Sequence, residues 1–185
     1  GHGTAESVSS NPSAAVANVN DAPTGSVSIT GTAAQGQTLT AANTLADADG
    51  LGTLSYQWQA NGTNISGATG SSYLLTETEV GQTITVIASY TDGHSTNESV
   101  SSAATAAVSN VNDAPTGAVT ISGSASQGQT LTASNTLADA DGLGAITYTW
   151  QADGSTIGTG STYTLTEAEV GKVITVLASY SDGHG

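Results

Sequence analysis

The sequence predicts an all-β protein made of tandem sandwich modules, and three observations carry that prediction. First, Asn18-Val19-Asn20-Asp21-Ala22-Pro23 recurs as Asn110-Val111-Asn112-Asp113-Ala114-Pro115, a displacement of 92 residues shared by Trp58 with Trp150 and by Asp47 with Asp139. Second, all eight aromatic residues repeat; after Ile65 and Ile157 the second copy is two residues shorter, so Tyr73 with Tyr163 and Tyr90 with Tyr180 differ by 90. Third, the runs between these landmarks are short and rich in Val, Ile, Thr and Tyr, and Gly, Asn and Asp separate them, which is the composition of strands and turns. An internal repeat outranks length as evidence of domain number.

The hexapeptide therefore sets the boundaries. Residues 1–20 align with 93–112 through His2, Glu6, Val8 and Val16 opposite His94, Glu98, Val100 and Val108, and are expected to be the final strand of a preceding repeat. Residues 21–110 make one complete repeat, and 111–185 a repeat lacking its last strand. Gly1-His2-Gly3 echoes Gly183-His184-Gly185, as though both ends fell at one phase of a longer array. About ninety residues suffice for a modest core without a staple.

Within the complete repeat the strands are expected in this order: A over 25–30, B over 37–42, C over 53–60, a short strand over 63–65, E over 71–76, F over 83–91 and G over 98–109. In C, Leu54, Tyr56, Trp58 and Ala60 share one parity while Ser55, Gln57 and Gln59 share the other, a period of two with one buried face. Residues 76–82 are too few to make an independent helix and read as a loop or single turn. Seven short strands with Trp on the third match an immunoglobulin-like sandwich without its usual cysteine pair.

Composition narrows the function. A net charge of −14, from 15 acidic residues against the single basic Lys172, argues against nucleic acid or an anionic membrane surface as partner. No cysteine is present to build a disulfide framework. No run approaches the roughly 18 apolar residues of a membrane-spanning helix, and no charged-then-apolar signal segment opens the chain.

Fourteen of the 15 acids occupy repeated positions; only Asp153, opposite Asn61, does not. In a sandwich of this kind the start of A and the B–C and F–G loops lie at the leading end, and the E–F loop and the end of G at the trailing end. End-to-end stacking then gathers Glu77, Glu79, Asn110, Asn112, Asp113, Asp139, Asp141 and Asp182 at one seam. The corresponding leading-end set of the first repeat is Asn18, Asn20, Asp21, Asp47, Asp49, Asp92 and Glu98, with Glu6 added by the opening segment. Two carboxylates about 5 Å apart repel by roughly 3 kcal/mol at an effective dielectric of about 20. Converging carboxylates without Lys or Arg call for a hard cation, and Ca²⁺, with six to eight oxygen ligands in loose geometry, suits a loop-built cage better than Mg²⁺.

Taken singly, these motifs have plainer readings. Asp47-Ala48-Asp49-Gly50 is an ordinary Asx-type turn, Glu77 and Glu79 could be a solvated loop, and Pro23 and Pro115 could simply stiffen a linker. His2, His94 and His184 are one repeated loop position with no second histidine or cysteine nearby, which disfavours zinc or catalysis. No nucleophile, base and orienting group stand together, so no enzyme is expected. Sequons begin at Asn61, Asn64 and Asn97, and they matter only in a eukaryotic secretory pathway.

Two resemblances follow from these residues. Asn-Val-Asn-Asp-Ala-Pro resembles the cadherin linker, Ala46-Asp47-Ala48-Asp49-Gly50 the cadherin paired-aspartate motif, and Glu77-Thr78-Glu79 with Ile84-Thr85-Val86-Ile87-Ala88 its acidic E–F loop and next strand. Glu77-Thr78-Glu79 lacks the Asp and Arg usual in that loop. Over its whole length the chain more closely resembles the tandem extender repeats of giant bacterial RTX-type adhesins, which combine this linker with Leu-Ala-Asp-Ala-Asp-Gly-Leu-Gly, Tyr-Gln-Trp-Gln-Ala and Ser-Tyr-Thr-Asp-Gly. The resemblance implies an extracellular protein of the bacterial cell surface, exported by type I secretion, whose calcium-stiffened repeats hold a distal binding domain away from the cell. Its partners would be neighbouring repeats of the same chain. Separately from the resemblance, a repeat 111–185 without its last strand and a free strand at 1–20 lead us to expect head-to-tail strand exchange between copies of this chain. Two alternatives stay open: a carbohydrate- or ice-binding sandwich, suggested by the many Thr and Tyr, and an accessory domain of a secreted hydrolase.

Overall fold

Alternating apolar residues bounded by turn-formers become strands throughout. In the computed structural model, which describes residues 3–183, the first repeat forms β1 (Val27–Thr30), β2 (Thr38–Asn43), β3 (Ser55–Ala60), β4 (Thr63–Asn64), β5 (Ser72–Leu74), β6 (Ile84–Thr91) and β7 (Asn97–Ser101). The second forms β8 (Val119–Ser122), β9 (Thr130–Asn135), β10 (Thr147–Ala152), β11 (Ser155–Thr159), β12 (Thr162–Thr164) and β13 (Ile174–Ser179). Apart from Asn43, the first six strands fall inside the expected spans. The stretch read as a single turn is one: a 3-10 turn at Glu77–Glu79, matched by another at Glu167–Glu169. His2 and His184 lie outside the described residues.

The sheets run β1-β2-β5 and β4-β3-β6-β7 in the first repeat, and β8-β9-β12 and β11-β10-β13 in the second. With β1 as A, β2 as B, β3 as C and β6 as F, this is the strand order of an immunoglobulin-like sandwich. Every ladder with a resolved register is antiparallel.

By contact the chain divides into two units, one of Gly1–Thr30, Thr40–Tyr73 and Thr85–Ala104, the other of Gly31–Leu39, Leu74–Ile84 and Thr105–Gly185. The second unit thus holds the second repeat together with the trailing edge of the first. Its core is Leu131, Ala133, Trp150 and Leu165, packed by Tyr148, Ile157, Tyr163, Ile174 and Val176. Trp150 is wholly buried; its indole N–H donates to the Gly160 carbonyl at 2.9 Å, and its ring lies 6.1 Å from that of Tyr163 at 30°. In the other unit Trp58 repeats the arrangement with the Gly70 carbonyl at 2.9 Å and Tyr73 at 6.1 Å. A buried indole whose polar edge is satisfied adds its full apolar area to the core at no hydrogen-bonding cost.

One expectation needs correction. Strand G does not run unbroken to residue 109. Ile87 faces Ser101, and Ser102 N–H donates to the Val86 carbonyl, but the next bond to β6 runs from Thr105 N–H to the Ile84 carbonyl, one residue out of register. Across this bulge hydroxyls replace main-chain acceptors: Ser102 Oγ takes the Val86 N–H and Thr105 Oγ1 the Ile84 N–H, each at 3.0 Å. The segment then turns into parallel bridges, Val108 with Val80 and Ser109 with Ala34. Residues 3–20 lie in no strand among the described residues. Val8, Val16 and Val19 are 100%, 96% and 82% exposed. A strand needs a ladder partner, and no described residue supplies one to this segment.

Candidate metal centre

The carboxylates are positioned by loops that the strands hold apart and glycines bring together. Gly93 N–H donates to the Asp49 carbonyl at 3.1 Å, so the F–G loop lies directly on the B–C loop; a Cβ at Gly93 would stand 2.5 Å from that oxygen. Gly183 and Asp141 repeat the contact at 3.0 Å. Only glycine tolerates so close an approach.

Within this frame Asp47-Ala48-Asp49 forms the expected Asx turn: Asp49 N–H donates to Asp47 Oδ1 at 2.8 Å, and Asp141 N–H to Asp139 Oδ1 at 3.0 Å. The second aspartate of each pair then receives the main chain of the linker. Asp21 N–H donates to Asp49 Oδ2 at 2.7 Å, and Asp113 N–H to Asp141 Oδ2 at 2.6 Å. Charge-assisted bonds of this length fix the linker on the leading end of each repeat.

The trailing edge of the first repeat supplies the third carboxylate. Oxygens of Glu77, Asp113 and Asp141 lie within 4.8 Å of one another, the one grouping of three potential metal-ligating residues of this kind among the described residues. Glu77 Oε2 and Asn110 Oδ1 are sealed from solvent without a hydrogen-bond partner. Among the described residues no Lys or Arg balances the three charges: the single one, Lys172, lies beside Glu169 in the second repeat. Sealed, unpartnered oxygens beside converging carboxylates are costly unless a cation completes them. The donor set is all oxygen, and it fits a hard divalent ion.

The remaining expected ligands divide between this centre and other duties. Asp139, Asp182 and Asn112 line a recess with Asp113. Asp139 Oδ2 accepts the Tyr180 hydroxyl, and that bond, with burial and the charges of Asp139, Asp182 and Asp141, pushes the Tyr180 phenol up to about 12. In the first repeat Asp47 Oδ2 accepts the Tyr90 hydroxyl at 2.5 Å; burial and then Asp47 drive that phenol far above its usual value. Asp92 Oδ1 accepts Thr96 N–H at 2.7 Å and His94 N–H at 2.8 Å, which hold its carboxyl below the ordinary range although burial works against them. Asp92 Oδ2 is buried without a partner. Asn20 Nδ2 donates to Glu98 at 2.9 Å, and His94 Nδ1 lies 3.4 Å from Asp49 Oδ1, an ionic contact only when the imidazole is protonated.

Glu79 is not one of the three clustered residues. Its Oε2 accepts the N–H of Thr76 at 2.9 Å and the Thr76 hydroxyl at 2.8 Å, closing a capping box around the 3-10 turn. The signature Thr-x-x-Glu was present in the sequence. Glu169 repeats the cap with Thr166, whose N–H and hydroxyl hold its carboxyl below the ordinary range. Glu6 and Asn18 lie in the exposed opening segment and make no hydrogen bond among the described residues.

One residue that holds the cluster was not among the expected ligands. Gln35 donates from Nε2 to Asp113 Oδ2 at 2.7 Å and accepts the Val111 N–H at 3.0 Å, so a single amide clamps both the linker and a cluster carboxylate. Its repetition as Gln127 was the available signal.

The strand order and the two repeats define the class: a protein of tandem immunoglobulin-like β-sandwiches. No family model matches the chain, and no curated protein does. Among solved structures it is similar to the three N-terminal domains of the Highly Immunogenic Outer Capsid protein (Hoc) of bacteriophage RB49, with 21% identity and a TM-score of 0.36 over 84% of this chain and 54% of that one. The chain spans about half the length of that structure.

Proposed function

We propose that the chain is a structural extender of a bacterial cell-surface adhesin, in which Ca²⁺ bound by Glu77, Asp113 and Asp141 ties the trailing edge of one repeat to the leading end of the next. The observation that carries this reading is the trio of carboxylates within 4.8 Å accompanied by the sealed, unpartnered Glu77 Oε2. Asn110 Oδ1 is a further ligand of suitable chemistry. Without the ion, mutual repulsion loosens the join; with it, the join is fixed and successive repeats are held in line. The adhesin setting and export by type I secretion rest on the resemblance of the repeats to RTX-type extenders.

At free Ca²⁺ about ten times Kd, one site adds roughly 1.4 kcal/mol to the folded state. Thermal unfolding in EDTA, in millimolar Ca²⁺ and in equal Mg²⁺ tests the proposal. A rise specific to Ca²⁺ that Glu77→Gln diminishes is the expected result. Equal curves in all three solutions would leave the carboxylates as solvating charge and remove the proposed switch.

A further inference from the structure

The two aspartates of each Asp-Ala-Asp look interchangeable in sequence, and the structure gives them different surroundings. Asp141 is 3% exposed and belongs to the trio with Glu77 and Asp113. Asp139 is half-buried and is not one of those three. Both of its oxygens already face donors: Oδ1 accepts the Asp141 N–H at 3.0 Å, and Oδ2 accepts the Tyr180 hydroxyl. A phenol is protonated at neutral pH, so Tyr180 is the donor in that bond. Gly142 N–H, 3.2 Å from the Asp139 carbonyl, closes the turn.

Tyr180 is a fixed point for this loop. It follows directly on β13, whose last residue, Ser179, is laddered to Thr147 of β10. A line of bonds therefore runs from the sheet through the Tyr180 hydroxyl to Asp139, and from Asp139 to the main chain of Asp141. The Asp141 carboxylate in turn receives the Asp113 N–H at 2.6 Å. The first repeat builds the same relay: the Tyr90 hydroxyl donates to Asp47 Oδ2 at 2.5 Å, and Asp47 Oδ1 accepts the Asp49 N–H at 2.8 Å. There the tyrosine is 5% exposed within β6 and lies opposite Glu98 of β7, so the relay is a property of the repeat and does not depend on what lies along β13. A loop that carries a metal ligand must be ordered before it binds, and a hydroxyl anchored in a sheet supplies that order in advance.

We propose that Tyr180 and Asp139 are positioning residues of the cation centre and not ligands of it: the Tyr180 hydroxyl locks Asp139, and Asp139 holds Asp141 where its carboxylate meets the ion. Their roles rest on the calcium reading as regards the ion, and on the hydrogen bonds alone as regards the anchor. The paired aspartates thus divide the work, the first supplying shape and the second charge. Asparagine at position 139 keeps the shape, because its Oδ1 accepts the Asp141 N–H while its amide donates to the phenol oxygen. Alanine keeps neither bond. Both replacements remove the same charge, so the difference between them isolates the hydrogen bonds.

The test is calorimetric titration of Ca²⁺ into the whole chain, read at the site that Glu77→Gln weakens, together with exchange of the Asp141 amide followed by NMR in EDTA. Tyr180→Phe, which keeps the ring, should weaken Ca²⁺ about tenfold, and Asp139→Ala should bind about tenfold more weakly than Asp139→Asn, as when a metal ligand loses the partner that orients it. Asp141→Asn should be the weakest of all. In EDTA the Asp141 amide should exchange about tenfold faster in Tyr180→Phe and in Asp139→Ala than in the wild-type chain. Asp139→Asn as weak as Asp141→Asn would make Asp139 a ligand and overturn the proposal, and so would Asp139→Ala within about twofold of Asp139→Asn. A wild-type chain that binds no Ca²⁺ removes the calcium reading, and the amide rates then decide the anchor by themselves: a rate unchanged by Tyr180→Phe overturns it.

Discussion

Ile84-Thr85-Val86-Ile87-Ala88-Ser89-Tyr90 and Ile174-Thr175-Val176-Leu177-Ala178-Ser179-Tyr180 differ by one conservative replacement, yet their surroundings differ greatly. In the first repeat Ile84, Val86 and Ala88 have no exposure at all, whereas their counterparts in β13 are only half-buried. The difference is the neighbour: β7 and the segment to Ser109 lie along β6, and no described strand lies along β13. The same contrast appears in the acids. Glu77 is half-buried with one sealed oxygen, while Glu167 is exposed; Gln35 is clamped to the linker, while Gln127 is exposed. Burial here is a property that one strand confers on another: among the described residues β6 has β7 beside it and β13 has no such neighbour.

The largest test of this contrast is a charge at the buried Val108. Val108→Asp buries a carboxylate with nothing to balance it and should cost the first repeat about 3–5 kcal/mol in urea unfolding, whereas Val16→Asp in dilute solution should cost less than about 0.5 kcal/mol. Equal effects would show that the first repeat does not shield Val108. Next comes truncation of the strand itself. Ile84→Ala should lose about 2–4 kcal/mol and Ile174→Ala about half as much, because only the first leaves a closed cavity; denaturant midpoints distinguish them.

A smaller difference is expected at the glutamines. Gln35→Ala removes two hydrogen bonds and strands an Asp113 oxygen, for about 1–2 kcal/mol in EDTA, while Gln127→Ala should be nearly neutral. Acid unfolding gives the finest distinction. Asp92 in the first repeat and Glu169 in the second have carboxyls held below their unfolded values, by the Thr96 and Thr166 amides foremost. Such groups contribute stability that is present above the ordinary carboxylate value of about 4 and is lost as pH falls through the lowered value. Asp92→Asn and Glu169→Gln should each flatten the acid limb of melting temperature against pH in EDTA.

Much of this was legible in the residues themselves. Period-two alternation around Trp58 and the turn-formers between runs located the strands, because both are local consequences of backbone geometry. The repeated Asp47-Ala48-Asp49 and Asn-Val-Asn-Asp gave the leading-end frame, and the eight residues expected at the seam include Glu77, Asp113 and Asp141, whose oxygens lie within 4.8 Å of one another. What the residues did not reveal were choices between partners of equal chemistry. Glu77 and Glu79 look alike in sequence, but the Thr76 hydroxyl and N–H claim Glu79 for the cap. Tyr90 and Tyr180 read as core, yet their hydroxyls hold Asp47 and Asp139. The bulge after Ser102 was invisible because its hydroxyls restore the bonds that the register shift removes.

The parallel bridges at Ala34 and Val80 have a mechanical meaning. The chain enters the first repeat near Asp21 and leaves it beyond Ser109, so a pull on its two ends drags Ala34 one way and Ser109 the other along their common axis. The bonds among Ala33, Gln35 and Ser109, and between Val108 and residues 81 and 82, are then sheared together rather than peeled one after another. Tension on the chain thus loads these bonds in shear where the strand departs, immediately before Asn110.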